Sequence, residues 1–580
     1  MLLSKIFAPP EQAVSPAVHF WRKVLTSLVC FAGGTLYAAA LPPFNLYIFA
    51  AVCLLPLLYF IPRCKFWHAV ILGWLWGLGW ALFAFRFLRE IDPAAPWLLA
   101  PVMALWPALF AAGFHFLSRG ILLFDGTLLK KEQPFSRVLL LSSGGAALFV
   151  LTEWTRSRLF PWNDFAVTLW QVPLLLQISV FTGHYGINFT VALVNAAVSC
   201  AIVFRKKYAA LLLILPVLFS ALFGYFRLYT PVKQKTFRFS PALIQGNLSQ
   251  RRHATLKQAQ EALDTYTRLT RKLLEKGRKP DIVLWPESSI PIPFYSAYPL
   301  RLSSQKTDYG RLAANYQYQV KNLCREFAVP MLIGALDFED VLPGNTNPGA
   351  TNSALHFDQW GILKTKYDKL HRVPFGEYVP FRTLLPDIIV RYIDMGRDLV
   401  PGKNANPVVL SDKVRAGTAI CYEGVFSYVM RNFARRGANV FIVLSNDAWY
   451  PESSEPEQHL ANAVLRSVES NLPMIRCGNN GGSGVVYPDG RYKIIDPTKK
   501  FPRPELRRGA AAEIIEVDLP ENPQRTFYVR FGEWFVYLLI FFTVFCFLFS
   551  LRCRRKKNQS DAALWENNHN LSPYQTINQG

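Results

Sequence analysis

Long, uninterrupted apolar runs fill the first 230 residues, and shorter apolar runs alternate with amphipathic stretches through most of the remainder. A helix needs about 20 mostly apolar residues to cross a bilayer. By that measure the first part predicts seven spans, at about 24–41, 45–61, 66–88, 95–117, 137–153, 173–204 and 208–228. The sixth run is long enough for one span plus a re-entrant or interfacial piece. An eighth span is predicted at about 532–551. A cleaved leader does not fit the first run. It leads into Leu41-Pro42-Pro43-Phe44 and a second span, with no small-residue cleavage site suitably placed.

The pattern changes near residue 231. Strand-like runs are Pro241–Gln245, Asp281–Trp285, Pro330–Leu336, Asn352–Phe357, Ile362–Tyr367, Ala416–Cys421, Val440–Ser445, Met474–Cys477, Gly484–Tyr487 and Ala512–Val517. Helical stretches lie at about 251–277, 308–328, 424–436 and 456–471. Apolar strands alternating with helices predict an α/β domain with layered sheets. The expected organisation is therefore a bundle over 1–230, an α/β domain over 231–530, one more span over 531–553 and a polar tail over 554–580. The tail lacks periodicity from about Asn558 and is expected to be disordered.

Charge orients this arrangement. The net charge is +23, from 63 Lys and Arg against 40 Asp and Glu. Basic clusters follow or precede alternate spans: Arg22 and Lys23; Arg63 and Lys65; Arg119, Lys130 and Lys131; Arg205, Lys206 and Lys207; Arg552, Arg554, Arg555, Lys556 and Lys557. Positive charge collects on the cytoplasmic side of membranes. These clusters all fall on one side when seven spans precede the α/β domain, which puts that domain outside and both termini in the cytoplasm. Arg86, Arg89, Arg156 and Arg158 are exceptions on the outer side. A basic balance also suits nucleic acid, but no zinc-finger spacing or RNA-binding aromatic motif is present. The expected partner is the bilayer.

Three residues in the α/β region invite chemistry. Glu287 follows the strand that Pro286 is expected to break, at the end of a sheet strand where α/β folds place their ligands. Burial would raise its pKa and suit it to proton shuttling. Lys369 follows the strand Ile362–Tyr367 and could stabilise an oxyanion or lower a thiol pKa. Cys421 ends the strand Ala416–Ile420 just before Gly424, an elbow that offers backbone N–H groups to an oxyanion. Each alone has an ordinary reading: a surface carboxylate, a loop lysine, a buried thiol. A Glu, a Lys and a Cys each ending a strand are more specific together. Of the nine cysteines, Cys324–Cys477 is the one pairing in the outer domain that leaves Cys421 free, though no spacing supports it. No Cys/His spacing suggests a metal. The Gly-rich run 480–484 reads as a turn rather than a phosphate loop, and no cofactor is expected. His371 and His459 are read as structural.

In the order Glu, Lys, Cys, the set resembles the nitrilase (carbon–nitrogen hydrolase) superfamily and, within it, the apolipoprotein N-acyltransferase family. Further runs carry the likeness: Leu41-Pro42-Pro43-Phe44, Glu153-Trp154-Thr155-Arg156-Ser157, Ile244-Gln245-Gly246-Asn247, Trp285-Pro286-Glu287, Tyr367-Asp368-Lys369, Val373–Pro380, Ile420-Cys421-Tyr422-Glu423, Asn446-Asp447-Ala448-Trp449 and Gln458-His459-Leu460. The resemblance implies an αββα sandwich set between about eight membrane spans. It implies Glu287 as general base, Lys369 as oxyanion stabiliser and Cys421 as nucleophile. Glu377 and Glu423 would be supporting carboxylates, Tyr422 would flank the thiol, and Trp449 would belong to a mobile arm over an acyl-chain pocket. The family's Phe-Gly after that tryptophan is replaced by Tyr450-Pro451 and an acidic, Ser-rich run, so the arm's shape is expected to differ.

The resulting expectation is a multi-pass enzyme of a bacterial inner membrane with its catalytic domain in the periplasm. It would move a fatty acyl chain from a phospholipid, through a thioester on Cys421, to the free amine of a diacylglyceryl lipoprotein. Arg156, Arg158, Trp154 and Trp162 are candidates for holding headgroups. A tethered amidase that releases ammonia is disfavoured, because one span would suffice as a tether. A transporter is disfavoured by spans nearly free of ionisable residues.

Overall fold

The computed structural model describes residues 16–125, 128–130, 132–230, 234–250, 254–296, 307–339, 349–384, 386–387, 398–450, 452–495 and 509–569. Among these, seven helices are long and apolar enough to cross a membrane. Six come first: α1 (Pro16–Ala40), α2 (Phe66–Ala84), α3 (Ala95–Ile121), α4 (Phe135–Leu159), α5 (His184–Ile202) and α6 (Lys207–Tyr229). The seventh begins at Trp534. Small residues let α1 and α2 approach closely, as membrane helices commonly do. A Cβ on Gly34 would stand 1.9 Å from the Trp76 carbonyl oxygen, and one on Gly79 would stand 2.1 Å from that of Phe31.

The segment expected to span at 45–61 is instead broken. It folds as two single-turn pieces, Tyr47–Ala51 and Ile61–Arg63, around a short helix, Leu55–Phe60. Pro56 and Pro62 open the later pieces, where they remove donors. Backbone freed from a helix at membrane depth needs other partners. Asn195 on α5 supplies two, accepting from Leu54 N at 2.9 Å and donating to the Ala50 carbonyl at 2.7 Å. Trp76 Nε1 donates to the Cys53 carbonyl at 2.8 Å. The sixth apolar run behaves as expected, with short helices Pro173–Leu176 and Ser179–Thr182 leading into α5.

A small hairpin, β1 (Phe124–Asp125) with β2 (Leu128–Leu129), interrupts the bundle. The outer domain then opens with β3 (Thr236–Phe239), β4 (Pro241–Gln245), helix α7 (Leu256–Leu274), β5 (Ile282–Pro293), helix α8 (Asp308–Phe327), β6 (Met331–Phe338), β7 (Ala350–Phe357) and β8 (Leu363–Asp368). It continues with β9 (Val408–Val409), β10 (Arg415–Ile420), helix α9 (Ser427–Arg435), β11 (Val440–Ser445), helix α10 (Glu455–Ser470), β12 (Met474–Gly478), β13 (Gly484–Val486), β14 (Tyr492–Ile494), β15 (Ala511–Ile514) and β16 (Val517–Pro520). One six-stranded sheet has the order β15-β4-β5-β6-β7-β8 and the other β14-β13-β12-β11-β10-β9. Each has a parallel centre, β4-β5-β6 and β10-β11-β12, with antiparallel flanks.

Alternation along the strands builds two cores. Leu243, Leu284, Leu332 and Ala354 face the second sheet and join Ala416, Ile442 and Ile475. Their neighbours Ala242, Val283, Trp285, Ile333 and Leu355 face away, onto Leu263, Tyr266 and Tyr316 of α7 and α8. With α9 and α10 against the other sheet, the layers run α-β-β-α. β16 pairs with β3, so the chain leaves this domain beside the point where it came in.

Helix α10 joins the domain to the bundle. Every residue from Glu455 to Ser470 is buried, although five of them are charged or His. The buried polar groups find partners in the bundle. Gln458 accepts from Trp162 Nε1 and Asn163 Nδ2, both at 2.8 Å, and donates to the carbonyls of Pro42 and Ala84. Asn45 donates to Glu457 at 2.6 Å, and His184 at the start of α5 lies 2.7 Å from Glu469.

Two further expectations are corrected. The last helix continues to His569, so the disorder expected from Asn558 holds for none of the described residues; those from 570 on lie outside them. Cys324 and Cys477 are both free and buried. Cys477 instead donates from Sγ to the Leu284 carbonyl across the two sheets at 3.3 Å.

Candidate active site

The strands bring Glu287, Lys369 and Cys421 to one edge of the sandwich. Glu287 does not sit past a strand end, as the proline before it suggested. β5 runs on to Pro293, but its pairing with β6 slips between Trp285 and Ile290, and Ser288 has φ +51°. A bulge of this kind re-aims side chains. Here it buries Glu287, which is 5% exposed.

Lys369, 2% exposed, follows β8 directly. Its Nζ lies 3.1 Å from Glu287 Oε1 and 3.0 Å from Glu377 Oε1. Glu377 is fixed from both sides. Its Oε2 accepts from Val373 N at 2.8 Å, and its Oε1 accepts from Asn352 Nδ2 at 2.8 Å. Asn352 also donates to Glu287 Oε1 at 2.7 Å, so one amide bridges two carboxylates. Sequence reasoning placed Asn352 at the start of a strand and gave it no role. An amide at a strand start is ordinary, and its partners stand 65 and 25 residues away.

Burial raises the pKa of Glu287, and Glu377 adds to the rise, while Lys369 and Asn352 oppose it. Burial pulls Lys369 down, but Glu287 and Glu377 outweigh it and hold the ammonium protonated.

Cys421 opens the single turn Cys421–Val425 directly after β10 and has φ +51°, the left-handed region that non-glycine residues seldom occupy. Such strain persists where surrounding contacts enforce it. His459 Nε2 lies 3.2 Å from the Cys421 carbonyl oxygen, and His459 Nδ1 lies 3.1 Å from Asp447 Oδ1. Burial pushes the thiol well above its usual pKa and Glu287 pushes the same way, while Lys369 favours the thiolate. Cys421 therefore rests as a thiol, with the Lys369 ammonium beside it.

Glu423, the other expected supporting carboxylate, lies in the turn after β10. It is fully buried, accepting from Leu370 N at 2.8 Å and Ile420 N at 3.1 Å. It thereby ties the residue after Lys369 to the residue before Cys421. Burial raises its pKa to about 7.

Tyr422 packs between the domain and the bundle. Its ring lies 6.1 Å from that of Trp162 and 5.8 Å from that of Phe160. Trp449 ends the turn Asp447–Trp449 and is half-buried. Beyond it Tyr450 packs edge-on to Phe87 at 5.2 Å, Pro451 lies outside the described residues, and Glu452 N donates to the Glu90 carboxylate at 3.1 Å.

His371 stacks on Phe426 at 4.2 Å and meets the Tyr428 hydroxyl at 2.7 Å. Arg156 is not available to a headgroup. It is fully buried, pairs with Glu153 at 2.7 Å, and donates to the carbonyls of Phe160 and Trp162 at 2.8 and 2.7 Å. Trp162 is buried as well and donates to Gln458. Trp154 Nε1 and Arg158 both donate to Glu533.

Comparisons with known proteins cover both halves of the chain. Residues 242–501 match the family model described as carbon-nitrogen hydrolase, and residues 33–197 match that of the apolipoprotein N-acyltransferase N-terminal domain. The apolipoprotein N-acyltransferase of Geobacter metallireducens is 31% identical over 405 residues, which span 68% of this chain and 71% of that one. That of Allorhizobium ampelinum is 29% identical over 82% of this chain and 87% of its own. That of Haemophilus ducreyi is 26% identical over 92% of this chain and 98% of its own.

Proposed function

The chain belongs to the apolipoprotein N-acyltransferase family, and on that premise we propose that it carries an acyl chain from a membrane phospholipid to the N-terminal amine of a diacylglyceryl lipoprotein in two half-reactions. In the first, Glu287 takes the proton of the Cys421 thiol as sulfur attacks the phospholipid ester carbonyl. Lys369 and the backbone N–H of Tyr422 stabilise the oxyanion. The tetrahedral adduct collapses to a thioester, and the lysophospholipid oxygen leaves with the proton from Glu287. In the second, Glu287 takes a proton from the lipoprotein amine as nitrogen attacks the thioester carbonyl. An amide forms, and the thiol regains the proton. A thioester suits this exchange because an amine attacks it readily.

The carrying observation is the lysine held between a buried carboxylate, Glu287, and a partly buried one, Glu377, beside a thiol on a left-handed elbow. Its setting supports lipid substrates over a soluble amide. The elbow's next residue, Tyr422, packs on Phe160 and Trp162 of the membrane part. An amidase would need no such contact. The side occupied by the basic loops further supports an inner-membrane placement, with the catalytic domain in the periplasm and both termini in the cytoplasm.

Intact-mass spectrometry tests this directly. Wild-type protein mixed with phosphatidylethanolamine is expected to gain one fatty-acyl mass, and a diacylglyceryl-cysteine peptide is expected to discharge it. Cys421→Ala is expected to gain none. An unmodified wild type that releases ammonia from a small amide would overturn the proposal.

A further inference from the structure

Beside Cys421 lies a group of side chains that the acyl-transfer steps do not use. Cys421, Asp447 and His459 each offer one ligand atom, and these atoms lie within 4.8 Å of one another. Sequence spacing hid the set, because Asp447 follows the cysteine by a strand and a helix, and His459 stands on the next helix. Asp447 and His459 are each 1% exposed, while Cys421 is only partly buried.

A second observation points to a ligand. Asp447 Oδ2 and Glu455 Oε2 are buried and accept no hydrogen bond. Arg476 Nη2 stands 3.5 Å from Asp447 Oδ2, and Glu455 Oε1 stands 3.8 Å from His459 Nδ1. Asp447 Oδ2 keeps only that long ion pair, and leaving Glu455 Oε2 without a partner in an interior is costly.

We propose that Cys421, Asp447 and His459, with Glu455 as the fourth donor, form a binding site for a thiophilic divalent cation, Zn2+, which blocks the thiol when bound. A thiolate, an imidazole and carboxylates form a zinc donor set, whereas calcium and magnesium take oxygen ligands alone. Zinc–ligand distances of about 2.0–2.3 Å separate the ligands of a tetrahedral site by roughly 3.3–3.8 Å. The three donors that lie together therefore need to close by only about 1 Å to reach that spacing. Binding releases the thiol proton to solvent, together with any proton on the coordinating ring nitrogen. Arg476 and Lys369 oppose a cation here, but a thiolate and two carboxylates outnumber them. The blocking consequence rests on the proposed role of Cys421 as nucleophile; the binding itself does not.

Cobalt(II) is the probe, because tetrahedral Co2+ absorbs in the visible and shows a sulfur-to-metal charge-transfer band. The full-length protein in detergent is expected to develop both bands with Co2+ and lose them when Zn2+ is added. Cys421→Ala is expected to lose the charge-transfer band. His459→Gln should weaken Zn2+ at least about 10-fold, read by displacement of Co2+ and by protection of Cys421 from iodoacetamide. If His459→Gln fails to fold, Asp447→Asn carries the same comparison. No Co2+ bands in the wild type, or zinc protection unchanged in both variants, overturns the site. The two proposals fail separately: Co2+ bands without an acyl adduct leave the metal site and sink the nucleophile, and an adduct without Co2+ bands does the reverse.

Discussion

Two clusters of buried charge flank helix α10, and burial alone does not distinguish them. At the junction with the membrane bundle, Glu469 is 1% exposed, and at the candidate active site Glu287 is 5% exposed. Glu469 is amply served. Its Oε1 lies 2.7 Å from His184 Nδ1 and accepts from His184 N at 2.6 Å; its Oε2 accepts from Ser427 Oγ at 2.8 Å and faces Arg466 Nε at 3.2 Å. Burial pushes its pKa up, but Arg466 and His184 outweigh that and hold it down at about 2. Glu287 receives one amide and shares one lysine with Glu377, and its pKa rises. A buried carboxylate with a surplus of donors is a fixed joint. One that shares too few remains ready to take a proton.

The sharpest way to break that comparison is to neutralise each carboxylate in turn. Glu287→Gln is expected to cut acyl transfer about 10²–10⁴-fold, the usual range for a lost general base. Its thermal unfolding should stay near wild type, because the variant loses a strained charge. Glu469→Gln should do the opposite. It strands Arg466 in the interior and leaves His184 with Asp164 alone, a loss of about 3–5 kcal/mol, while turnover per folded molecule changes little. Unfolding followed in detergent, beside the rate of lipopeptide acylation, separates the two. Equal destabilisation by both variants would mean that Glu287 is as much a fixed joint as Glu469.

Much of the sandwich was legible in the chain. Pro241–Gln245 and Val440–Ser445 are strands with the bounds their apolar runs suggest, and the helix expected over 308–328 forms as Asp308–Phe327. Apolar runs that short, bounded by turn residues, favour a buried strand over a helix by their length. Lys369 and Cys421, directly after β8 and β10, were legible too, because a strand fixes where its last side chain goes; Glu287 was read as lying past a strand end and instead sits at a bulge within β5. Pairings across the fold were not. Asn352 bridges partners in other elements, Arg156 turns inward to Glu153 and two carbonyls, and His184 reaches across to Glu469. None of these side chains differs in type or local spacing from an ordinary surface residue. The breaks within 47–63 were hidden for a related reason: hydropathy reports that a segment is apolar, not that Asn195 on another helix bonds its interrupted backbone.

A smaller effect sharpens the active-site side. The Asn352 amide favours the ionised form of Glu287. A base must be ionised to act, so activity falls as pH drops through its pKa. Asn352→Ala should raise that pKa, move the acid limb of the kcat/KM profile to higher pH, and lower the plateau about 10–10²-fold, equivalent to one lost hydrogen bond to a charged group at about 1.5–3 kcal/mol. An unshifted acid limb would mean that the amide serves Glu377 alone.

The smallest effect concerns Glu423, the buried tie between the Lys369 and Cys421 loops. Its pKa in the folded protein is about 7, above the ordinary 4.5. Between those values the folded protein keeps a proton that the unfolded chain has released. The unfolding free energy therefore falls as pH rises through that window and levels off above it. Glu423→Gln imitates the protonated acid, accepting one of the two backbone N–H groups that the ionised carboxylate accepts. Its unfolding curve should lack this component of the slope. The difference between wild type and variant, from thermal unfolding in detergent at several pH values, should narrow steadily from pH 5 to pH 7 if the variant is the less stable at pH 5. A constant difference would mean that Glu423 stays ionised throughout. The tie would then resemble Glu469, and the active site would carry one fewer weakly compensated carboxylate than the comparison assigns it.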